Sequence, residues 1–189
     1  SYSFIYKGFN VDVICSDTIG VSKNRNILLK ALSQEFGLML DDDCVLSDNY
    51  PQTISDFFGK TNCDFALFNA IFVDGSSNKL FHNKGTKKVK KFCEISYAGG
   101  PGLCFKKSAL DKTEILYDEK IGVPNYIEAG EDTVFHFNLL KKSKNFYRAQ
   151  DVIFTIYDNN FDSSYYKGVD KQYIETRGYI TKCIHPFAF

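Results

Sequence analysis

Residues 9–15, Phe-Asn-Val-Asp-Val-Ile-Cys, alternate apolar and polar positions and are rich in β-branched side chains, which predicts a strand. A turn containing Gly20 follows, and Ser22 stands where a helix over residues 23–35 needs its cap. Ile27, Leu28, Ala31 and Leu32 give that helix an apolar face, while Lys23, Arg25 and Lys30 fall nearer its polar side. The chain then enters a short apolar run, residues 36–40, which reads as a buried central strand and stops at three adjacent carboxylates, Asp41, Asp42 and Asp43. Strand, helix and strand in this order predict a β-α-β unit with parallel strands and a right-handed crossover.

Farther on, Asn49-Tyr50-Pro51 opens a second helix, with Pro51 suited to its first turn. Residues 65–73 read as a third strand closed by Asp74-Gly75, and residues 103–105 as a strand after the glycine-rich turn Tyr97-Ala98-Gly99-Gly100-Pro101-Gly102. A short helix over residues 107–112 leads into an irregular stretch, 115–124. Gly130-Glu131-Asp132 opens a helix to about residue 142, acidic at its start and basic at its end (Lys141, Lys142, Lys144), as the helix dipole favours. Residues 152–157 form a last predicted strand, and the tail, 173–189, shows no evident role. The expectation is one α/β domain over residues 1–189, a mixed, mainly parallel sheet flanked by helices.

Composition narrows the function. The 189 residues suffice for a sizeable core, and 23 basic residues balance 23 acidic ones, so no global field points to nucleic acid. Residues 76–91 are a local exception. They hold Lys79, Lys84, Lys87, Lys88, Lys90 and Lys91 with no acid, either a solvated loop or edge hairpin, or a peripheral contact with phosphate or an anionic membrane surface. Cys15, Cys44, Cys63, Cys93, Cys104 and Cys183 are scattered without metal-site spacing, which favours reduced thiols. No apolar run approaches the roughly 18 residues that span a bilayer, and the expected location is cytoplasmic. The chain opens at Ser1-Tyr2-Ser3 without Met, which suggests a fragment of a longer protein.

The candidate chemistry lies in acids. Three adjacent carboxylates repel one another, and a cation or a set of donors offsets that cost; a solvated acidic turn is the plain alternative. In open α/β sheets ligands bind at the carboxyl ends of strands, which is where the triplet is expected. The glycine-rich turn has neither GxGxxG nor P-loop spacing, yet its glycines let backbone approach a ligand closely.

Three motifs stand in order: Gly20-x-Ser22-x-x-Arg25-Asn26 opening a helix, the strand ending in Leu40-Asp41-Asp42-Asp43, and Gly130-Glu131-Asp132-x-x-Phe135. With the glycine-rich turn between the last two, the set resembles glycosyltransferase family 2, inverting nucleotide-sugar-dependent enzymes of the GT-A fold. The resemblance covers residues from about 9 to 165.

It implies a transfer of sugar from a nucleoside-diphosphate sugar, a UDP-sugar above all, to a hydroxyl of a saccharide or lipid-linked acceptor in cell-surface polysaccharide synthesis. The acids would be the DxD-type motif. Asp43 would ligate Mn²⁺ or Mg²⁺ on the donor diphosphate, Asp41 would face the ribose or reach the metal through water, and Asp42 would lie close by. Arg25 would contact the nucleotide, Asp132 would act as general base and Glu131 would bind acceptor beside it. Gly99, Gly100 and Gly102 would line the acceptor side. The chemistry suits these residue types: a hard cation neutralises a leaving diphosphate, and a positioned carboxylate takes the attacking hydroxyl's proton.

Two departures accompany the resemblance. The nucleobase-binding strand and loop, helix and strand that usually precede the segment starting at Phe9 are missing. Asn160 stands about where many relatives carry a His, while His82, His136 and His185 show no ligand pattern. Two rival readings remain. Asp41-x-Asp43-Cys44-Val45 also fits the nucleophile motif of haloacid-dehalogenase-type phosphatases, with Asp41 phosphorylated and Asp43 as acid/base. A truncated transferase-like domain acting only as a binding module is the other.

Overall fold

The predicted third strand forms the spine of the fold. In the computed structural model, which describes residues 1–74, 77–80, 84–96, 99–143, 145–158 and 169–185, its apolar run makes a long strand, β5 (Phe65–Asp74). Nine strands are described in all. β1 (Tyr2–Tyr6) and β2 (Phe9–Val13) come first, then β3 (Phe36–Leu38) and β4 (Cys44–Leu46). After β5 follow β6 (Ser77–Leu80), β7 (Lys87–Lys88), β8 (Leu103–Lys106) and β9 (Phe146–Asp158). The helices are α1 (Val21–Ala31), α2 (Tyr50–Thr61), α3 (Lys107–Thr113), α4 (Glu131–Lys142) and α5 (Lys171–Ile184).

The main sheet has the order β3-β8-β5-β9-β4, with β6 also on β5 and β7 on β9. Side chains of β5 alternate between two cores, as the period of a strand requires. Phe65 and Leu67 pack with Leu29 of α1 and with Phe135 and Leu139 of α4, and Ala66, Phe68 and Ala70 pack with Ile54, Phe57 and Phe58 of α2. This is a mixed sheet with helices on both faces.

The expected parallel character does not hold. Among the described pairings of this sheet, β5 with β9 is parallel and the others are antiparallel. The predicted β-α-β unit is also absent. β2 turns back on β1 through Lys7 and Gly8, both at positive φ (49° and 85°), the backbone of a tight hairpin turn. The two strands form a sheet of their own, so β2 never lies beside β3. Nor is the 36–40 run central: β3 lies at one end of the strand order and β4 at the other, and residues 39–43 carry the chain between them. The acids therefore sit on a crossing segment rather than on the last residue of a strand.

β1 had no counterpart in the sequence reading, and β4 and α5 had none either. Residues 44–46 pair with β9 as β4, and the tail contributes α5, whose Ile180 and Ile184 pack with Ile121 and Val134. Asp170 caps α5 by accepting the Tyr173 N–H at 2.7 Å.

Candidate active site

The site is assembled by the inward face of α1, and that face is not the apolar one. Ser22, Asn26 and Leu29, spaced four and three apart, are the buried residues of α1, whereas Leu28 is 51% exposed. Gly20, not Ser22, stands at the N-cap, with φ 137°. The Ser22 hydroxyl donates instead to the Ile121 carbonyl at 2.6 Å, and the Val21 N–H donates to Val123 O at 3.0 Å. Asn26 bonds both ways with one residue: its Nδ2 donates to Tyr117 O (3.0 Å) and its Oδ1 accepts the Tyr117 N–H (2.8 Å). The same Nδ2 also lies 3.1 Å from Glu119 Oε1. Buried polar groups thus sew the irregular stretch after α3 to the start of α1.

One turn of α1 places Arg25 against α4. Gly130 caps α4 at φ 98°, where a side chain would be strained and where a Cβ would come 2.6 Å from Ile180 Cδ1. The first two residues of α4, Glu131 and Asp132, would satisfy a helix dipole by facing water, but they face Arg25. Its Nη1 donates to Asp132 Oδ1 at 2.6 Å and to Glu131 Oε1 at 3.0 Å, and its Nη2 donates to Asp41 Oδ1 at 3.1 Å. The Tyr117 hydroxyl adds a bond to Asp132 Oδ1 at 3.2 Å, and the guanidinium lies 5.4 Å from the Tyr117 ring centroid.

Gly100 closes the remaining side: a Cβ there would come 2.9 Å and 3.0 Å from the Asp132 oxygens and 3.0 Å from Arg25 Nη2. Gly99 is exposed at the rim. Gly102 stands in the turn just before β8, with φ 89° and its N–H donating to Met39 O at 2.9 Å. Asp42 and Asp43 occupy an exposed turn after Asp41, and the Cys44 thiol lies 3.5 Å from Asp43 Oδ1.

The electrostatics follow from burial. Desolvation opposes the Arg25 charge, yet Asp132, Tyr117, Glu131 and Asp41 together hold its proton more tightly than usual. Burial pushes the Asp41 carboxyl up against the pull of Arg25, and burial with the Asp132 charge does the same at Glu131. Tyr117 is held well above the usual phenol value, first by burial and then by Asp132. It remains a neutral donor.

The structure thus brings together Arg25, Asp41, Glu131, Asp132 and Gly100, with Asp42 and Asp43 on the adjoining turn. Sequence reasoning passed over Tyr117 and gave Asn26 no role. The available signal was the pairing of Arg25 with Asn26 one residue apart, with no position to say what the Asn held. Among the described residues no group of three or more His, Cys, Asp or Glu side chains converges as a metal site. Asp43 on the exposed turn and Asp41 just before it, whose Oδ1 already accepts from Arg25, are the carboxylates that could ligate a cation here. Asn160, His82, Lys144 and the Tyr97-Ala98 part of the glycine-rich turn lie outside the described residues; His185 is exposed at the end of α5.

Structural comparison bears on the fold. TarS 1–349 of S. aureus in complex with UDP-GlcNAc superposes with a TM-score of 0.68 at 18% identity, over 90% of this chain and 48% of that one. The chain shares the fold of the part of TarS that it covers. The same protein in complex with UDP gives a TM-score of 0.64 over 90% and 46%. In sequence, the chain is 28% identical over 170 residues to the poly(ribitol-phosphate) β-N-acetylglucosaminyltransferase TarP of Staphylococcus aureus (strain N315), over 85% of this chain and 50% of TarP. No family model matches. The chain spans about half the length of these relatives. Among the described residues no helix is long and apolar enough to cross a membrane.

Proposed function

We propose that this chain carries the acidic face of a metal-dependent, inverting glycosyltransferase that moves a sugar from a UDP-sugar to a hydroxyl of a cell-surface polymer. The observation that carries the reading is the meeting of Asp41, Glu131 and Asp132 at Arg25, across residues far apart in the chain. The similarity to TarP supports N-acetylglucosamine as the sugar and a polyol-phosphate polymer as the acceptor.

In this reading Asp132 accepts the proton of the attacking hydroxyl, Glu131 helps hold the acceptor, and Gly100, having no side chain, lets the glycine-rich turn close on Asp132 from the acceptor side. Asp43, with Asp41 beside it, would hold Mn²⁺ or Mg²⁺ against the donor diphosphate. That cation would neutralise the charge of the leaving nucleoside diphosphate. Lys88, Lys90 and Lys91, exposed around buried Val89, support contact with an anionic acceptor or membrane surface. The phosphatase reading loses support here, because it needs a second acid pair at a strand end and Glu131 and Asp132 open a helix.

The test uses the full-length protein with Mn²⁺, UDP-GlcNAc and poly(ribitol-phosphate). Asp132→Asn should keep donor binding and lose transfer by about 10²–10⁴-fold, the usual worth of a positioned base. Asp43→Ala should lose metal-dependent UDP binding. Normal transfer by Asp132→Asn sinks the base assignment; binding of UDP-GlcNAc without turnover on any hydroxyl acceptor favours the binding module.

A further inference from the structure

The two oxygens of Asp132 are not equivalent. Oδ1 takes both donors, Arg25 Nη1 and the Tyr117 hydroxyl, and among the described residues nothing donates to Oδ2. Gly100 stands against both oxygens, since a Cβ there would come 2.9 Å from Oδ1 and 3.0 Å from Oδ2, so the carboxylate keeps its place only because this residue has no side chain. A carboxylate fixed through one oxygen presents the other in one direction, which is what proton abstraction at a defined position requires.

Tyr117 is held for this contact from three sides. Its ring stacks on Phe135 of α4, with centroids 4.0 Å apart and an interplanar angle of 12°. The guanidinium of Arg25 lies 5.4 Å from the ring centroid. Its backbone N–H and carbonyl are both taken by Asn26, which is itself buried. The adjacent residues Arg25 and Asn26 therefore act on the same carboxylate, one directly and one through Tyr117.

We infer that Asn26 and Tyr117 are positioning residues for Asp132: Asn26 clamps the Tyr117 backbone, the phenol anchors Oδ1, and Oδ2 is left to take the acceptor's proton. The inference rests on the reading of Asp132 as the base. Burial keeps the phenol protonated and able to donate.

Tyr117→Phe removes the hydroxyl and keeps the ring between Phe135 and Arg25. In the full-length protein, with UDP-GlcNAc, Mn²⁺ and poly(ribitol-phosphate), kcat should fall by about ten- to a hundredfold, the worth of a hydrogen bond to a charged group. The KM for UDP-GlcNAc should stay within about twofold, because the donor does not meet this bond. Asn26→Ala should lower kcat in the same way, and the double variant should lose no more than the Asn26→Ala variant, since both act through one hydroxyl. An unchanged kcat in Tyr117→Phe overturns the inference, and so does a loss that appears only in donor KM. A second readout needs no turnover: in protein labelled at tyrosine ¹³Cζ, Asp132→Asn should shift the Tyr117 signal, and an unmoved signal refutes the contact. If the unaltered protein transfers no sugar, the proposed function has failed, and the Tyr117 signal then decides the contact alone. The same signal decides if Asn26→Ala does not fold.

Discussion

Arg25→Met is the perturbation that most directly weighs the site. Methionine keeps an unbranched apolar stem beside the Tyr117 ring and removes the guanidinium that Asp41, Glu131 and Asp132 share. The Arg25, Glu131 and Asp132 side chains are 13–14% exposed, so the loss is that of one partner in a largely buried network, about 3–5 kcal/mol. Asp41 is 43% exposed, and its pair with Arg25 behaves as a surface pair of about 1 kcal/mol or less. The expected destabilisation near pH 7 is therefore about 3 kcal/mol, the low end of the buried range, or a drop in Tm of about 6–12 °C for a domain of this size. The pH dependence separates charge from packing. Burial raises the Asp41 and Glu131 carboxyls in the folded state. Each therefore contributes stability that is full below the ordinary carboxylate value of about 4 and is lost as pH rises through its raised folded value. Removing Arg25 raises both further, so the variant should recover much of its deficit as pH falls toward about 4.5. Urea unfolding at both pH values reads this out. A deficit under about 1 kcal/mol near pH 7, or an equal deficit at both, would mean that Arg25 acts through its packing and not its charge.

Gly100→Ala and Gly102→Ala should part company. At Gly100 an added Cβ meets the ends of Arg25 and Asp132, so transfer should drop about tenfold or more while Tm moves by only a few degrees. At Gly102 the left-handed φ costs about 1–2 kcal/mol. Contacts of 2.8 Å to the Phe154 ring and 3.0 Å to the Phe68 carbonyl add overpacking. Urea unfolding should report a total loss of about 2–5 kcal/mol, and a Gly102→Ala protein as stable as its parent would contradict the packing described. His136 is fully buried with no partner for either ring nitrogen among the described residues, and burial pushes it down to about 4. Stability should therefore fall as pH drops from the unfolded value of about 6.5 through 4. His136→Leu should flatten that limb at no cost in stability near pH 7; a limb of the same slope in the variant assigns it to other groups.

The strands and helices whose burial is apolar were legible. β5 announced itself as an apolar run broken only by Asn69, and α4 by a glycine, two acids and basic residues at its far end, because those features act locally on the backbone. Pairing direction was not legible. Periodicity says which side chains share a face of a strand but not which strand lies beside it, so the parallel unit expected from residues 9–40 gave way to a hairpin pinned by Lys7 and Gly8.

The largest misreading is at α1, and its cause is chemical. Apolar spacing pointed to Ile27, Leu28, Ala31 and Leu32 as the inner face, yet the helix buries Ser22, Asn26 and Leu29. A polar residue turned inward breaks the rule by which amphipathic helices are oriented, and it is tolerated because each polar atom finds a partner: Ser22 on Ile121, Asn26 on Tyr117. Those partners lie in the stretch after α3 that has no periodicity to read. That stretch holds its place through side chains of α1, and α1 is turned by what it must hold. Arg25 and Asn26 follow each other in sequence, so the rotation that buries Asn26 against Tyr117 also fixes how far Arg25 reaches toward Asp41, Glu131 and Asp132. Local rules fail where the helix serves the site instead of the core.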